Sequence, residues 1–281
     1  MEGSVAPLPS ASFRMRSEQL SYRDLITVYR ALGLRRTSRV LVHVALPALG
    51  TVAGGADTIV GSLLGTCETV MLPSFTEQSM LTPVIGPPEN GLADGASAED
   101  NLTAEFYHPD LPTHDVVAER LRHDRRAARS MHPLYSFVGV NADEALQSQS
   151  IDDPLAPVGW LADFDGDVLL LGANHKDNVA LYYAEHAAGR KQFIRWALTP
   201  EGVVVCPNCP GCSEGFPLIS DRLAGVVRRA RLGNARVELI PVRDLIHIAV
   251  GWIRQDPRAL LCEQPGCSLC QAVRASVRAS L

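Results

Sequence analysis

Two groups of residues in this chain of 281 residues have the types and spacing to do chemistry. The first is Leu169 to Arg190, LLLGANHKDNVALYYAEHAAGR, in which an apolar run, a glycine turn and a polar loop lead into a helical segment. It delivers His175, Asp177, Asn178, Tyr182, Glu185 and His186 just beyond a strand end, where ligands collect in α/β sheets. Imidazole and carboxylate groups there suit proton transfer to or from a bound molecule. The second group is Cys206-x2-Cys209-x2-Cys212 and Cys262-x4-Cys267-x2-Cys270. Thiolates so spaced, with Pro and Gly between them for tight turns, suit tetrahedral zinc; an iron–sulfur cluster is the other metal group such a set could hold. A closed site of four thiolates is structural, so it would tie the C-terminal tail to the loop after Val205 rather than catalyse. From the six candidates we expect Cys212, Cys262, Cys267 and Cys270, with Cys209 as the alternative member. Cys67 stands alone after a helix-like segment and reads as a core thiol.

Composition limits what this chemistry serves. A 46% hydrophobic, 20% charged chain of this length builds a sizeable core. No apolar run approaches the ~20 residues of a membrane helix. A net charge of −5 argues against nucleic acid, whose binding needs a dominant basic face. Residues 1–17 lack a basic segment followed by an apolar one and read as a disordered lead rather than a signal peptide, which gives a cytoplasmic expectation.

The positioning elements follow from periodicity. Ser21 and Asp24 resemble a capping box before Tyr22, Leu25, Ile26, Tyr29 and Leu32 at helical spacing. Val40 to Leu46 is an apolar run that reads as a strand buried on both faces. His43 within it is either a hydrogen-bonded core residue or a site residue near the strand's C-terminal end. A turn at 50–55, a helix from Ala56 to Leu64 and a strand from Thr69 to Leu72 complete a crossover, so parallel pairs are expected. Pro73-Ser-Phe-Thr76 then offers Ser74 and Thr76 to a ligand. Met80 to Leu102 reads as a long surface loop. Val116 to Arg129 reads as a helix whose arginines form either a solvated face or a grip for a polyanion; His132, before Pro133, sits at a loop tip leading to a strand at 137–140. Later come a strand at 202–205, a helix from Pro217 to Arg231, a strand from Val237 to Pro241, a helix from Val242 to Arg254 and a short tail helix. The fold class is therefore α/β, with a mixed, partly parallel central sheet flanked by helices and a Cys-rich C-terminal zinc knuckle.

The succession LITVYRALGL, VLVHVALPALG, GGADTIVGSL, VMLPSFT, RSMHPLYSFVGVNADEAL and GDVLLLGANHKDNVALYYAE, with Leu232 to Arg236 later, resembles the aminoglycoside N-acetyltransferases of the antibiotic-inactivating, non-GNAT type. The resemblance covers about residues 18–260 and leaves 261–281 as a Cys-rich tail tied by metal to the 206–212 loop. It implies transfer of acetyl from acetyl-CoA to an amine of a small aminoglycoside-like antibiotic or other secondary metabolite, with no nucleic acid or membrane partner; a homodimer is the assembly considered. It also implies a CoA side formed by His43, Ser74, Thr76, Arg129, Ser130, His132 and Ser136.

The resemblance also carries departures. Where the family's first strand ends in His-Ser-Ser-Leu, His43 and Leu46 match but Val44 and Ala45 replace the serines. Where it has Asn-Thr, a histidine four residues after that Asn and a glutamate three further on, Asn178 and Glu185 match but Val179 and Tyr182 stand in the other places. A neutral phenol is a poor base near pH 7. Three outcomes follow: His175 serves as the base, a neutral substrate amine needs only positioning, or the site binds a CoA-like ligand or partner without acetyl transfer. The family's Phe-Asp-Pro reads Tyr107-His108-Pro109 here, so substrate contacts are expected from His108, Asp110 and Asn178.

Overall fold

The structure, a computed structural model, describes residues 19–83, 86, 87, 90, 91 and 101–279. The opening helix α1 (Tyr22–Ala31) starts on the expected box: Ser21 N–H donates to Asp24 Oδ2 at 2.8 Å and Asp24 N–H to Ser21 Oγ at 3.3 Å. It leads to β1 (Arg39–Val44), a single turn of helix α2 (Leu46–Leu49), then α3 (Gly55–Thr66) and β2 (Thr69–Pro73). A two-residue strand β3 (Met80–Leu81) follows, then α4 (Val116–Arg122), β4 (Ala127–Arg129), β5 (Phe137–Val140), α5 (Asp143–Ser148) and α6 (Ala156–Asp163). The second half holds β6 (Asp167–Leu171), α7 (Val179–Ala187), β7 (Phe193–Thr199), β8 (Gly202–Cys209), β9 (Arg228–Leu232), β10 (Ala235–Pro241), α8 (Val242–Gln255) and α9 (Ser268–Ala279).

The main sheet runs β4-β5-β2-β1-β6-β10-β9, and β3-β7-β8 form a second, smaller one. β1 pairs in parallel with both β2 and β6, while the outer pairs are antiparallel, so the sheet is mixed as the crossover implies. Side chains alternate across a strand. Val40, Val42, Leu169 and Leu171 thus pack under α1, α3 and α4, whereas Leu41, Val168 and Leu170 pack under α5–α8. Each such residue stabilises the fold by roughly 1.5–3 kcal/mol relative to exposure, which explains the continuous apolar reading of the two central strands. Gly172, at φ +70°, turns the chain off the end of β6 where a side chain would crowd Ala45 O and Leu49. That turn throws the loop carrying His175 over the sheet edge.

Two expected helices are shorter. The one through Arg129 ends at Arg122, because Asp124 bonds the N–H and the guanidinium of Arg126 in a tight turn and residues 127–129 then pair with β5. From Pro217 to Arg231 a short 3-10 turn, Phe216–Asp221, gives way to β9, whose Arg228, Arg229 and Arg231 alternate with buried Ala230 and Leu232 in a hairpin with β10. The strand expected at 202–205 extends to Cys209 and pairs with β7. The loop expected from Met80 contains β3; residues 84, 85, 88, 89 and 92–100 of it, and the lead at 1–17, lie outside the described residues. Among the described residues no helix is long and apolar enough to cross a membrane.

Candidate active site and cysteine cluster

Sheet register builds the floor of the site. His43 lies beside Leu170, Leu170 beside Glu238 and Glu238 beside Arg229, one row across β1, β6, β10 and β9 at the C-terminal ends of the parallel strands. Glu238 is 4% exposed and takes the guanidinium of Arg229 at 2.8 Å, that of Arg236, and His175 Nε2 at 3.6 Å. His175 sits on a single 3-10 turn, His175–Asp177, with Nδ1 3.3 Å from Asn178 Nδ2. Asn178 in turn caps α7 by accepting the N–H of Ala180 at 3.2 Å. His175 Nδ1 is thus within hydrogen-bonding distance of Asn178, and Nε2 faces Glu238. Burial lowers its pKa, Glu238 opposes this, and Arg236 and Arg229 add to the depression. The ring lies between Glu238 on the sheet and Asn178 at the α7 N-terminus.

His43 is different. It is 6% exposed, and its Nε2 has no partner among the described residues. Burial and the neighbouring His175 push its pKa down to about 3, so the ring is neutral at ordinary pH. It lines a cavity of about 270 Å³ with Phe75, Glu77, His114, Asp115 and Asp177. Of these, Glu77, His114 and Asp115 escaped the sequence reading. Asp115 had a signal as the N-cap of α4; Glu77 and His114 had none, since they meet His43 only through the fold. A charged residue in the apolar run of β10 was the available signal for Glu238.

The loops after β2 and before β5 interlock. Ser74 and Ser136 hydroxyls lie 3.0 Å apart, Thr76 Oγ1 donates to Pro133 O at 2.7 Å, and Ser130 Oγ accepts the N–H of Phe137 at 2.8 Å. His132 Nδ1 accepts the N–H groups of Leu134 and Tyr135 at 3.1 and 3.0 Å, and burial pushes its pKa down to about 4. Arg129 donates to Ser136 Oγ and to the carbonyls of Ser74, Pro109 and Leu111, leaving one of its five N–H donors uncommitted. The polar atoms of these residues chiefly hold the two loops together. His108 and Asp110 face each other at 3.5 Å on an exposed turn outside the cavity.

Tyr182 and Glu185 do not form a dyad. The Tyr182 ring packs edge-on against Phe216 at 4.9 Å, and burial pushes its pKa up to about 12 against a hydrogen bond with Ser213. Glu185 is bound by Arg190 at 2.5 Å, and Arg190 also donates to Pro257 O and Ala259 O. Burial lifts the Glu185 carboxyl to about 7, although Arg190 pulls it down.

At the other end of the chain, the sulfurs of Cys212, Cys262, Cys267 and Cys270 all lie within 4.8 Å of one another. Cys209, the alternative member, is elsewhere: it packs with Cys206, Leu134 and Ala197, and its thiol donates to Cys206 O at 3.2 Å. The pairing of β7 with β8 is irregular here, with Phe193 opposite Cys209 but Arg195 opposite Cys206 and Asn208 at φ +55°, and both Cys206 and Cys209 are buried together before the chain leaves the sheet at Cys212. Cys67 is a buried thiol pushed up to about 12 by that burial.

Known proteins share this architecture. The aminoglycoside N(3)-acetyltransferase IX of Micromonospora chalcea is 30% identical over 257 residues, 79% of this chain and 89% of its own length. The apoenzyme of aminoglycoside acetyltransferase AAC(3)-IVa superposes with a TM-score of 0.73 at 24% identity, covering 93% of this chain and all of that one. A solved binary complex of AAC-IIIb with CoASH gives 0.68 at 22% identity, covering 84% of this chain and 97% of that one. The family model described as aminoglycoside 3-N-acetyltransferase matches residues 41–254, from β1 to the end of α8, and the chain belongs to that family.

Proposed function

We propose that this chain transfers acetyl from acetyl-CoA to an amine of an aminoglycoside-like antibiotic or other secondary metabolite, by direct attack in a ternary complex. The amine nitrogen bonds to the thioester carbonyl carbon, the C–S bond breaks, and CoA leaves as the thiol with the proton that the amine gives up. The observation that carries this reading is the buried His43, whose Nε2 has no partner among the described residues, on a cavity at the C-terminal ends of β1 and β2, in a chain of this family. The paired loops of Ser74, Thr76, Ser130, His132 and Ser136, clamped by Arg129, shape the CoA side. With Tyr182 pushed up to about 12 and His175 buried between Glu238 and Asn178, the chain supplies positioning and asks the amine to react as the free base. The test is thiol release from acetyl-CoA across a panel of amines, with Tyr182→His and His175→Ala beside wild type.

Tyr182 favours a second reading, a protein that binds CoA without turnover. CoA binding with no turnover of any amine supports it; absence of CoA binding overturns both.

Cys212, Cys262, Cys267 and Cys270 would hold one Zn²⁺. Zn–S bonds of about 2.3 Å set tetrahedral sulfurs roughly 3.8 Å apart, a distance the cluster reaches by small side-chain rotations. Bound there, zinc would supply a crosslink between the loop after β8 and the tail. Metal analysis should return about one zinc per chain; clearly substoichiometric zinc in fresh protein counts against it. Reduced thiols and an acetyl-CoA supply both fit a cytoplasmic location.

A further inference from the structure

The cysteine cluster reaches the strand-end site through three successive residues. Cys212 supplies a sulfur to the cluster, Ser213 hydrogen-bonds Tyr182 on α7, and the Glu214 carboxylate takes Lys176 Nζ at 2.5 Å. Lys176 is the middle residue of the 3-10 turn His175–Asp177. That turn puts His175 Nε2 at 3.6 Å from Glu238 and Asp177 on the cavity that His43 lines. The path from a cluster sulfur to the turn thus runs through one side chain, that of Glu214, whose own N–H donates to Cys212 Sγ at 3.4 Å.

The stretch is pinned at both ends. On its C-terminal side Phe216 is fully buried, with its ring 4.9 Å from that of Tyr182. Gly215 lies so close to the chain entering Cys262 that a Cβ there would collide with Leu260 O. On its N-terminal side the stretch is held where Cys212 meets three sulfurs from the tail segment. Fixing both ends leaves Ser213 and Glu214 little backbone freedom, and releasing one end restores it. Magnitude decides what the closed cluster adds. Lys176 and Glu214 are 42% and 44% exposed, and an ion pair so open to solvent holds little by itself, because two long side chains must first be ordered. It orders the turn only when the backbone beneath Glu214 is already fixed, which the closed cluster supplies.

We propose that Ser213 and Glu214 are positioning residues: closure of Cys212, Cys262, Cys267 and Cys270 around zinc fixes them, and through Tyr182 and Lys176 they fix the first turn of α7 and the turn that carries His175 and Asp177. Order at the strand-end site is thereby coupled to metal at the tail. This inference rests on the zinc reading of the cluster and not on the acetyl-transfer reading.

Amide exchange followed through metal removal tests the coupling without any turnover. In the full-length zinc-loaded protein a strong chelator should speed exchange at residues 176–182 about tenfold, the change that corresponds to about 1.4 kcal/mol, while exchange in β1 and β6 stays within about twofold. Ser213→Ala combined with Glu214→Ala keeps all four sulfurs and should hold the metal as wild type does. Its exchange at 176–182 should already be fast, and chelation should add less than about twofold there while still releasing α9, because two perturbations that share one path do not add. Lys176→Ala cuts the same link from the side of the site, leaves the cluster segment untouched, and should likewise shrink the chelator effect at the turn to less than about threefold. A cluster that serves the tail alone would release α9 and leave 176–182 unmoved, which overturns the proposal. So does a chelator effect of equal size at 176–182 in wild type and variants, since the coupling would then run by another route. Fresh protein without metal overturns the proposal together with the zinc reading; metal-loaded protein that fails the exchange test overturns the proposal alone.

Discussion

The cysteine cluster and the strand-end site assemble by opposite routes. Cys262, Cys267 and Cys270 come from one short segment, and Cys212 alone is recruited from elsewhere. The strand-end site draws His43, Glu77, Asp115, Asp177 and Glu238 from five separate stretches, and no two of its lining carboxylates share an element. The cluster's chemistry is intrinsic, since four thiols that close need a cation to ionise together. The chemistry at the strand ends belongs to the environment: His43 and His175 are the same residue type, yet one lines a cavity and has an Nε2 without a partner among the described residues, and the other lies between Glu238 and Asn178. The comparison teaches that a residue's type identifies a metal site more readily than it identifies a catalytic one.

The sharpest way to break the contrast is to remove the metal. With zinc in place, a strong chelator should make Cys212, Cys262, Cys267 and Cys270 titratable by a thiol reagent and abolish amide-exchange protection in α9, because structural zinc contributes on the order of 10 kcal/mol. Exchange in β1 and β6 should change little. Unchanged α9 protection after complete metal removal would make the cluster dispensable.

Next in size is Glu238→Ala. It leaves Arg229, Arg236 and His175 facing one another without their carboxylate, and urea unfolding should show a loss of about 3–5 kcal/mol. A loss below about 1 kcal/mol would mean that the network is solvated and not a support for the α7 N-terminus.

Glu185 then gives a pH signature. Burial holds its folded pKa near 7, above the ordinary carboxylate value, so the folded chain binds a proton that the unfolded chain has already released. The contribution is full below about pH 4.5 and is lost as pH rises through 7, a decline of roughly 3 kcal/mol by linkage. Glu185→Gln should flatten that slope in unfolding measured from pH 5 to 8; an unchanged slope would assign the titration to another group.

The smallest effect separates Tyr182 from catalysis. Tyr182→Phe removes the hydrogen bond with Ser213 and should cost about 1 kcal/mol of stability, with kcat/KM for any accepted amine altered by less than about threefold. A loss of a hundredfold or more, about 2.7 kcal/mol, would restore the phenol to the reaction.

Much of the architecture was legible before any coordinates. The capping box at Ser21, the doubly buried β1 and the crossover to β2 follow from local sequence patterns. The helices expected through Arg129 and Arg231 were not, because pairing with β5 and β10 decided those segments over their own periodicity.

By itself the sequence carried the resemblance to the family, the mixed sheet and the short list of cysteines from which four sulfurs converge, since these rest on motifs and patterns along the chain. Only the tertiary structure placed Tyr182 against Phe216, Glu185 beside Arg190, His175 between Glu238 and Asn178, and His43 on a cavity with Glu77, Asp115 and Asp177. The physical reason is that proton affinity and hydrogen-bond availability are set by burial and by partners from other strands, and sheet register brings those partners together across long stretches of chain.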